Sequence, residues 1–274
     1  MQRQPVHAYN VPAVVERRIR LSTGDPNVGV ADYVTGRYLG SDLRGVSLGC
    51  GFGRKEALWV GTGAFAKLTG YDLSATRVEG ARARYPHPAL EYVAADAYKL
   101  DLEPESLDIV IFEDSLHHLA PVATILERCH RWLRPGGHVV LNEYVGPRKF
   151  QSTDRQLEAA DEILAMLPEG LRISYAHGTV RRRVQRPSLL RMRLLDPSEA
   201  VESDRILPTV HGLFDVLEER KLGGTLVGLV LDDIAHHFIQ GADEWLQLMF
   251  DVEDELLASG DIESDYALVV AQRR

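Results

Sequence analysis

An α/β fold, a seven-stranded and mostly parallel sheet with helices on both faces, is predicted by three observations. Short apolar runs alternate with helix-length periodic segments from Gly45 to Tyr144. The first run ends in a glycine-rich loop, Gly49-Cys50-Gly51-Phe52-Gly53. Two more strand-like runs, Phe214 to Arg220 and Tyr266 to Ala271, lie far downstream and supply the closing strands, the last of them antiparallel. Alternation of this kind marks βαβ units, in which a helix carries the chain from one parallel strand to the next.

In order along the chain, residues 1–40 read as a helical cap of two helices broken at Thr23-Gly24-Asp25-Pro26-Asn27. Strands follow at Gly45 to Leu48, Ala66 to Tyr71, Leu90 to Ala94, Leu107 to Phe112 and His138 to Glu143, with helices at Ser74 to Arg84 and Val122 to Leu133. The turn Arg134-Pro135-Gly136-Gly137 stops that second helix and launches the fifth strand. Residues 146–210 interrupt the rhythm and are too long for an ordinary connection, so they read as an insertion shaping an acceptor site. Residues 211–274 complete the core, with helical patterns at Leu226 to Phe238 and Trp245 to Leu257. The second places Trp245, Leu248 or Met249, Val252 and Leu256 on one face and acids opposite.

Composition narrows the class. With 274 residues, 45% hydrophobic and 26% charged, the chain suits a globule of one core plus elaborations. Cys50 and Cys129 have neither metal-ligand nor disulfide spacing, and Met1 to Arg20 has no apolar signal core. No stretch approaches the roughly 20 apolar residues needed to span a bilayer. A cytoplasmic location with neither nucleic acid nor membrane as partner is therefore expected, the net charge of −9 opposing general binding to polyanions. A homodimer is compatible with this reading. The charge is uneven: from Arg172 to Arg193 there are seven arginines and no acid, which leaves −16 on the remainder.

The glycine loop follows a strand and opens a helix, where backbone can approach a ligand closely and the first amides are unpaired. Alone, such a loop is also a plain structural turn or a dinucleotide site. The next strand ends at Asp72-Leu73, 23 positions after Gly49, close to the interval at which an acid meets ribose hydroxyls. A third strand ends at Asp96-Ala97, an acid beside a small residue that can meet an adenine amine. The run Asp108 to Leu119 contains Glu113 and ends in Leu116-His117-His118-Leu119, and Arg131-Trp132-Leu133-Arg134-Pro135-Gly136-Gly137 follows.

These four ordered motifs closely resemble the class I S-adenosylmethionine-dependent methyltransferases, over about residues 40 to 145 with Tyr266 to Ala271 as closing strand. The resemblance implies a Rossmann-like core at 41–145 and S-adenosyl-L-methionine as cofactor. Gly49, Cys50 and Gly51 would then face its methionine part, Asp72 with Leu73 the ribose side, Asp96 and Ala97 the adenine, and Glu113 the same pocket. One position departs: the family often carries an acid two residues before the first glycine, where this chain has Ser47. Glu56 either supplies that charge or merely complements the helix dipole.

Methyl transfer from a sulfonium is an in-line displacement, so a hydroxyl acceptor needs a base close by. His117 and His118 stand at the carboxyl edge of the fourth strand, and one of them is expected to pack as a core residue. His118 is the first candidate for the base, with Glu143 orienting it or the acceptor, and Tyr144 and Asn142 as acceptor contacts. The pair of histidines with Asn142-Glu143-Tyr144-Val145-Gly146-Pro147 and the long insertion more loosely resembles a bacterial branch associated with sugars and glycans, which implies a sugar hydroxyl as acceptor. The arginine strip reads either as a clamp for an acceptor anion or as a solvated face pairing with acids elsewhere. No metal site is expected: Asp233 and His237 share a helical face, but two ligands without a third do not make one.

Overall fold

The computed structural model describes residues 6–274. Seven strands form one sheet, β1 (Leu43–Leu48), β2 (Phe65–Asp72), β3 (Leu90–Ala94), β4 (Leu107–Glu113), β5 (Leu133–Tyr144), β6 (Phe214–Lys221) and β7 (Tyr266–Arg273). Their spatial order is β3-β2-β1-β4-β5-β7-β6, with β1 to β5 parallel and β7 antiparallel to both neighbours. The order reverses between β1 and β4, so the crevice beyond their carboxyl ends is where a ligand of such a sheet sits.

Both faces of the sheet are covered because its central strands are apolar throughout. Ile109, Val110, Ile111 and Phe112 of β4 are fully buried. On one face α5 (Val122–Trp132) packs with Val122, Ile125, Leu126, Cys129 and Trp132, a stripe at helical spacing in which none is exposed. Helix α8 (Ile206–Leu213) joins it through Ile206 and Val210. On the other face α2 (Val30–Tyr38) and α3 (Arg54–Gly61) pack Val34, Trp59 and Val60 against Leu68, Ile109 and Val270. α4 (Ala75–Arg84), capped by the Ser74 hydroxyl, covers β3.

A second apolar body gathers α1 (Pro12–Thr23), α6 (Asp154–Met166), α9 (Thr225–Leu231) and α10 (Asp243–Ser259) around Ile163, Leu164, Leu226, Val230 and Met249. The remaining helix, α7 (Leu189–Leu195), stands outside it, anchored by Met192. Among the described residues no helix is long and apolar enough to cross a membrane.

Three sequence expectations shift. The helix anticipated over Leu226 to Phe238 stops at Leu231, because Asp233 adopts a left-handed φ of 61° and turns its carboxylate back to the Ser174 hydroxyl and the Ala176 amide. The chain resumes as a 3-10 turn, Ala235–Phe238. The buried face of α10 is rotated by about a residue, to Leu246, Met249, Phe250 and Glu253. Glu253 is inside because it accepts the Leu226 and Gly224 amides at the start of α9 and pairs with Arg17 at 2.6 Å. Arg134 to Gly137 is not a separate turn but a bulge within β5, between the Leu107–Leu133 and Ile109–His138 pairs.

Candidate active site

At the end of β1 the Gly49 and Cys50 amides donate to the Tyr71 carbonyl at 2.7 and 2.9 Å. Gly49 has φ +82°, and a Cβ on it would stand 2.6 Å from that of Ser115, so the loop is pressed against the turn after β4. Gly51 is its opposite: φ is +53° and a Cβ there would meet nothing within 4 Å, so it borders open space. Its amide donates to Asp72 Oδ2 at 2.9 Å, while Asp72 Oδ1 accepts the Ser74 amide at 2.8 Å. Asp72 is buried and Leu73 beside it is 78% exposed. Asp96 caps a 3-10 turn that starts at Ala97, accepting the Tyr98 amide at 3.0 Å. Glycine loop, Asp72 and Asp96 thus share the carboxyl edge of three adjacent strands.

Glu56, in the first turn of α3, is buried; Oε1 accepts from the Ser47 hydroxyl at 2.7 Å and Oε2 has no partner. Burial pushes its pKa up to about 7 against the opposing pull of Ser47. A carboxylate at the root of a ligand loop, with one oxygen unmatched, is a place for a cationic group. Burial likewise pushes the Cys50 thiol well up, which makes it an inert wall and not a nucleophile.

A second network lies behind β4. Glu113 Oε2 accepts from Lys55 Nζ at 3.1 Å and Asn142 Nδ2 at 3.0 Å, and Oε1 from Trp59 Nε1 at 3.1 Å. Asn142 Oδ1 accepts from Arg18 at 3.0 Å. Glu113 and Asn142 are thereby committed to protein partners. Asp114, held at φ 54°, bonds Arg18 at 2.7 Å and Lys55 at 3.3 Å. Burial alone would raise its carboxyl, but the two cations outweigh it and hold it below the ordinary range.

The histidines follow in a 3-10 turn, Leu116–His118. Glu143, fully buried at the end of β5, accepts the Ser115 and Leu116 amides on Oε1 and contacts His117 Nδ1 through Oε2 at 2.7 Å. His117 Nε2 faces Glu199 Oε1 of the insertion at 3.4 Å. Burial opposes the charged ring, yet two carboxylates win and lift its pKa to about 10, so His117 is imidazolium at neutral pH. His118 is about a third exposed, with Nδ1 3.3 Å from Ser198 Oγ and Nε2 3.8 Å from Glu199. Burial and the charged His117 keep its pKa below the usual histidine value despite Glu199, Asp196 and Glu143. One histidine is packed and cationic, the other accessible and neutral. Tyr144 is buried, its hydroxyl donating to the Pro147 carbonyl at 2.9 Å and its ring 6.1 Å from His117.

His117, His118 and Glu199 bring possible ligand atoms within 4.8 Å of one another. Within that group the His117 ring links two carboxylates, Glu143 on Nδ1 at 2.7 Å and Glu199 on Nε2 at 3.4 Å. The sequence reading missed Arg18, Lys55 and Glu199. Lys55 sits one residue before Glu56 at the start of α3 and was findable; Arg18 and Glu199 come from the cap and the insertion, whose irregular patterns carry no periodicity to place them.

Residues 46–141 match the family model described as a methyltransferase domain. Among curated relatives, a ubiquinone biosynthesis O-methyltransferase of Nitrobacter winogradskyi is 29% identical over 47% of this chain and 48% of its own. A phthiotriol/phenolphthiotriol dimycocerosates methyltransferase of Mycobacterium ulcerans is 30% identical over 38% of each. The chain thus spans about half or less of the relatives it matches. Among solved structures, the N-methyltransferase NodS of Bradyrhizobium japonicum shares the fold, with TM-score 0.50, 13% identity and coverage of 97% of this chain and 98% of its own. The fold is that of class I methyltransferases, and S-adenosylmethionine is the cofactor of this domain.

Proposed function

We propose that this chain, with its methyltransferase domain at residues 46–141, methylates a hydroxyl of a small polar acceptor, sugar hydroxyls being the first class to test. The observation that carries the reading is the pairing of an accessible neutral His118 with a buried cationic His117 fixed by Glu143. A hydroxyl must lose its proton as it is methylated, and His118 is the group there able to take it. His117 and Glu143 are spent on holding that turn in place.

The donor supplies an electrophilic methyl on a sulfonium. Gly49, Cys50 and Gly51 would hold its methionine part, Asp72 and Leu73 its ribose side, and Asp96 with Ala97 its adenine. Glu56 fits its cationic end, since Oε2 is buried with no partner. His118 would take the acceptor proton as the oxygen is methylated by the bound donor. Oxygen as the methylated atom agrees with the O-methyltransferase named for the Nitrobacter relative. Tyr144 walls the acceptor side, and Asn142 acts from behind through Arg18 and Glu113.

The test is mass spectrometry of metabolite extracts, and of purified glycosides and phenols, incubated with the protein and isotopically labelled donor. Label on an oxygen of a polar acceptor is expected. Label found only on nitrogen or carbon would overturn the proposal.

A further inference from the structure

We infer that helix α7 and the arginines flanking it form a docking surface for an anionic lipid bilayer, at the mouth of the candidate active site. The inference is independent of which acceptor is methylated.

Helix α7 is the sequence Leu189-Leu190-Arg191-Met192-Arg193-Leu194-Leu195, and of its side chains only Met192 is buried. Leu189, Leu190, Leu194 and Leu195 are 48%, 69%, 76% and 72% exposed. Four leucines on two turns, all facing water, are not the scattered apolar surface of an ordinary globule. At the helical spacing, Leu190 and Leu194 lie one turn apart on the side opposite Met192, and Arg191 and Arg193 flank that ridge on either side. An apolar ridge edged by arginines is the pattern of an interfacial helix: leucines enter the headgroup boundary while guanidinium groups reach phosphates and the stems cover apolar area.

Charge selects the occupant. Of the seven arginines from Arg172 to Arg193, Arg181 is spent on the Val230 and Asp232 carbonyls, and Arg186 on Asp154 and the Ser152 carbonyl. The side chains of Arg182, Arg183, Arg191 and Arg193 are exposed and have no hydrogen bond or ion pair among the described residues. The reading of the strip as a face paired with the chain's own acids therefore accounts for only part of it. The rest of the chain carries −16, the balance behind the expectation of no membrane partner, so attraction concentrated at this basic patch would orient the molecule as well as hold it. A two-fold contact between copies through this ridge would set the same arginines against each other.

The patch adjoins the site. Directly after α7, Ser198 and Glu199 reach His118 and His117, and the segment is tied down where Lys149 donates its amide to the Ala200 carbonyl at 2.7 Å and the Val122 amide donates to Glu202 at 2.8 Å. The ridge projects from a fixed base.

The test is co-sedimentation of the full chain with large unilamellar vesicles of phosphatidylglycerol and phosphatidylcholine, against phosphatidylcholine alone, near 0.1 M salt. Binding to the anionic vesicles only is expected, falling with added salt and lowered about five-fold by each of Arg191→Gln and Arg193→Gln. Leu190→Asp with Leu194→Asp should abolish it while affinity for S-adenosylhomocysteine stays unchanged, which separates this inference from the methyl-transfer reading. In a Leu194→Trp variant, fluorescence should shift to the blue with anionic vesicles. Absence of binding, equal binding to neutral vesicles, or retention by the double aspartate variant would overturn the inference. So would a dimer that the aspartates dissociate, since the face would then belong to a second copy.

Discussion

Asp72 carries two burdens, because the oxygens expected to meet ribose already accept the Gly51 and Ser74 amides. Asp72→Ala should weaken S-adenosylhomocysteine binding by about 1 to 3 kcal/mol, and Asp72→Asn, which keeps one acceptor, by less. Unchanged affinity in titration calorimetry would remove Asp72 from the donor site. Glu56 makes a sharper test. Its folded pKa, about 7, lies above the ordinary 4.5, so the folded state holds the proton longer and the charge costs stability as pH rises through that window. Glu56→Gln should match the parent near pH 4 and exceed its stability above pH 7 by on the order of 3 kcal/mol. The same variant should bind donor more weakly. In the parent, donor binding near pH 6.5 should release a proton, seen as a calorimetric heat that depends on buffer ionisation; a buffer-independent heat would leave Glu56 outside the site. His118→Ala should lower turnover by about 10² to 10⁴ with donor affinity nearly intact. Because its pKa lies below 6.5, the parental rate should rise with pH in the acid range and be level by neutrality, whereas a rate still climbing above pH 8 points to another base. At this scale the sequence exposed the strand-end acids and the histidines. It could not say that Glu143 would make one histidine cationic and leave its neighbour neutral, which depends on a 2.7 Å contact between residues 26 positions apart.

At the scale of elements, the strands were legible because each is a run of β-formers bounded by turn residues, and β3 was read to the residue. Helices whose apolar stripe meets the sheet, such as α5, were equally plain. α9 and α10 were harder, since they pack on each other and on the insertion, and their geometry follows polar commitments: Asp233 breaking one helix, Glu253 drawn inward to cap it. The insertion showed its length and its arginine strip in the sequence, but no element within it. It delivers Glu199 to both histidines, so that cluster is assembled from two distant stretches. Glu199→Gln should slow turnover more than it changes donor affinity. Amide exchange over 196–202 should slow when acceptor and S-adenosylhomocysteine are both bound; indifference to ligands there would make the segment a static wall.

For the whole molecule, the sheet order places the donor loop and the histidine turn on neighbouring strands, β1 and β4, whose connection in sequence passes through two further strands. The contact between them is tight. The missing side chain of Gly49 leaves just enough room for Ser115, whose amide, with that of Leu116, is pinned by Glu143. A shift in the glycine loop therefore presses on the turn that carries His118. In the language of linkage, the two ligands share one free energy: whatever factor S-adenosylhomocysteine confers on acceptor affinity, the acceptor must confer on S-adenosylhomocysteine. We expect that factor to favour an ordered sequence, donor before acceptor, with acceptor binding at least several-fold tighter once the loop is filled. Gly49→Ala should bring the factor towards one while leaving the chain folded, and equal acceptor affinity with and without donor in the parent would show the two halves to be uncoupled.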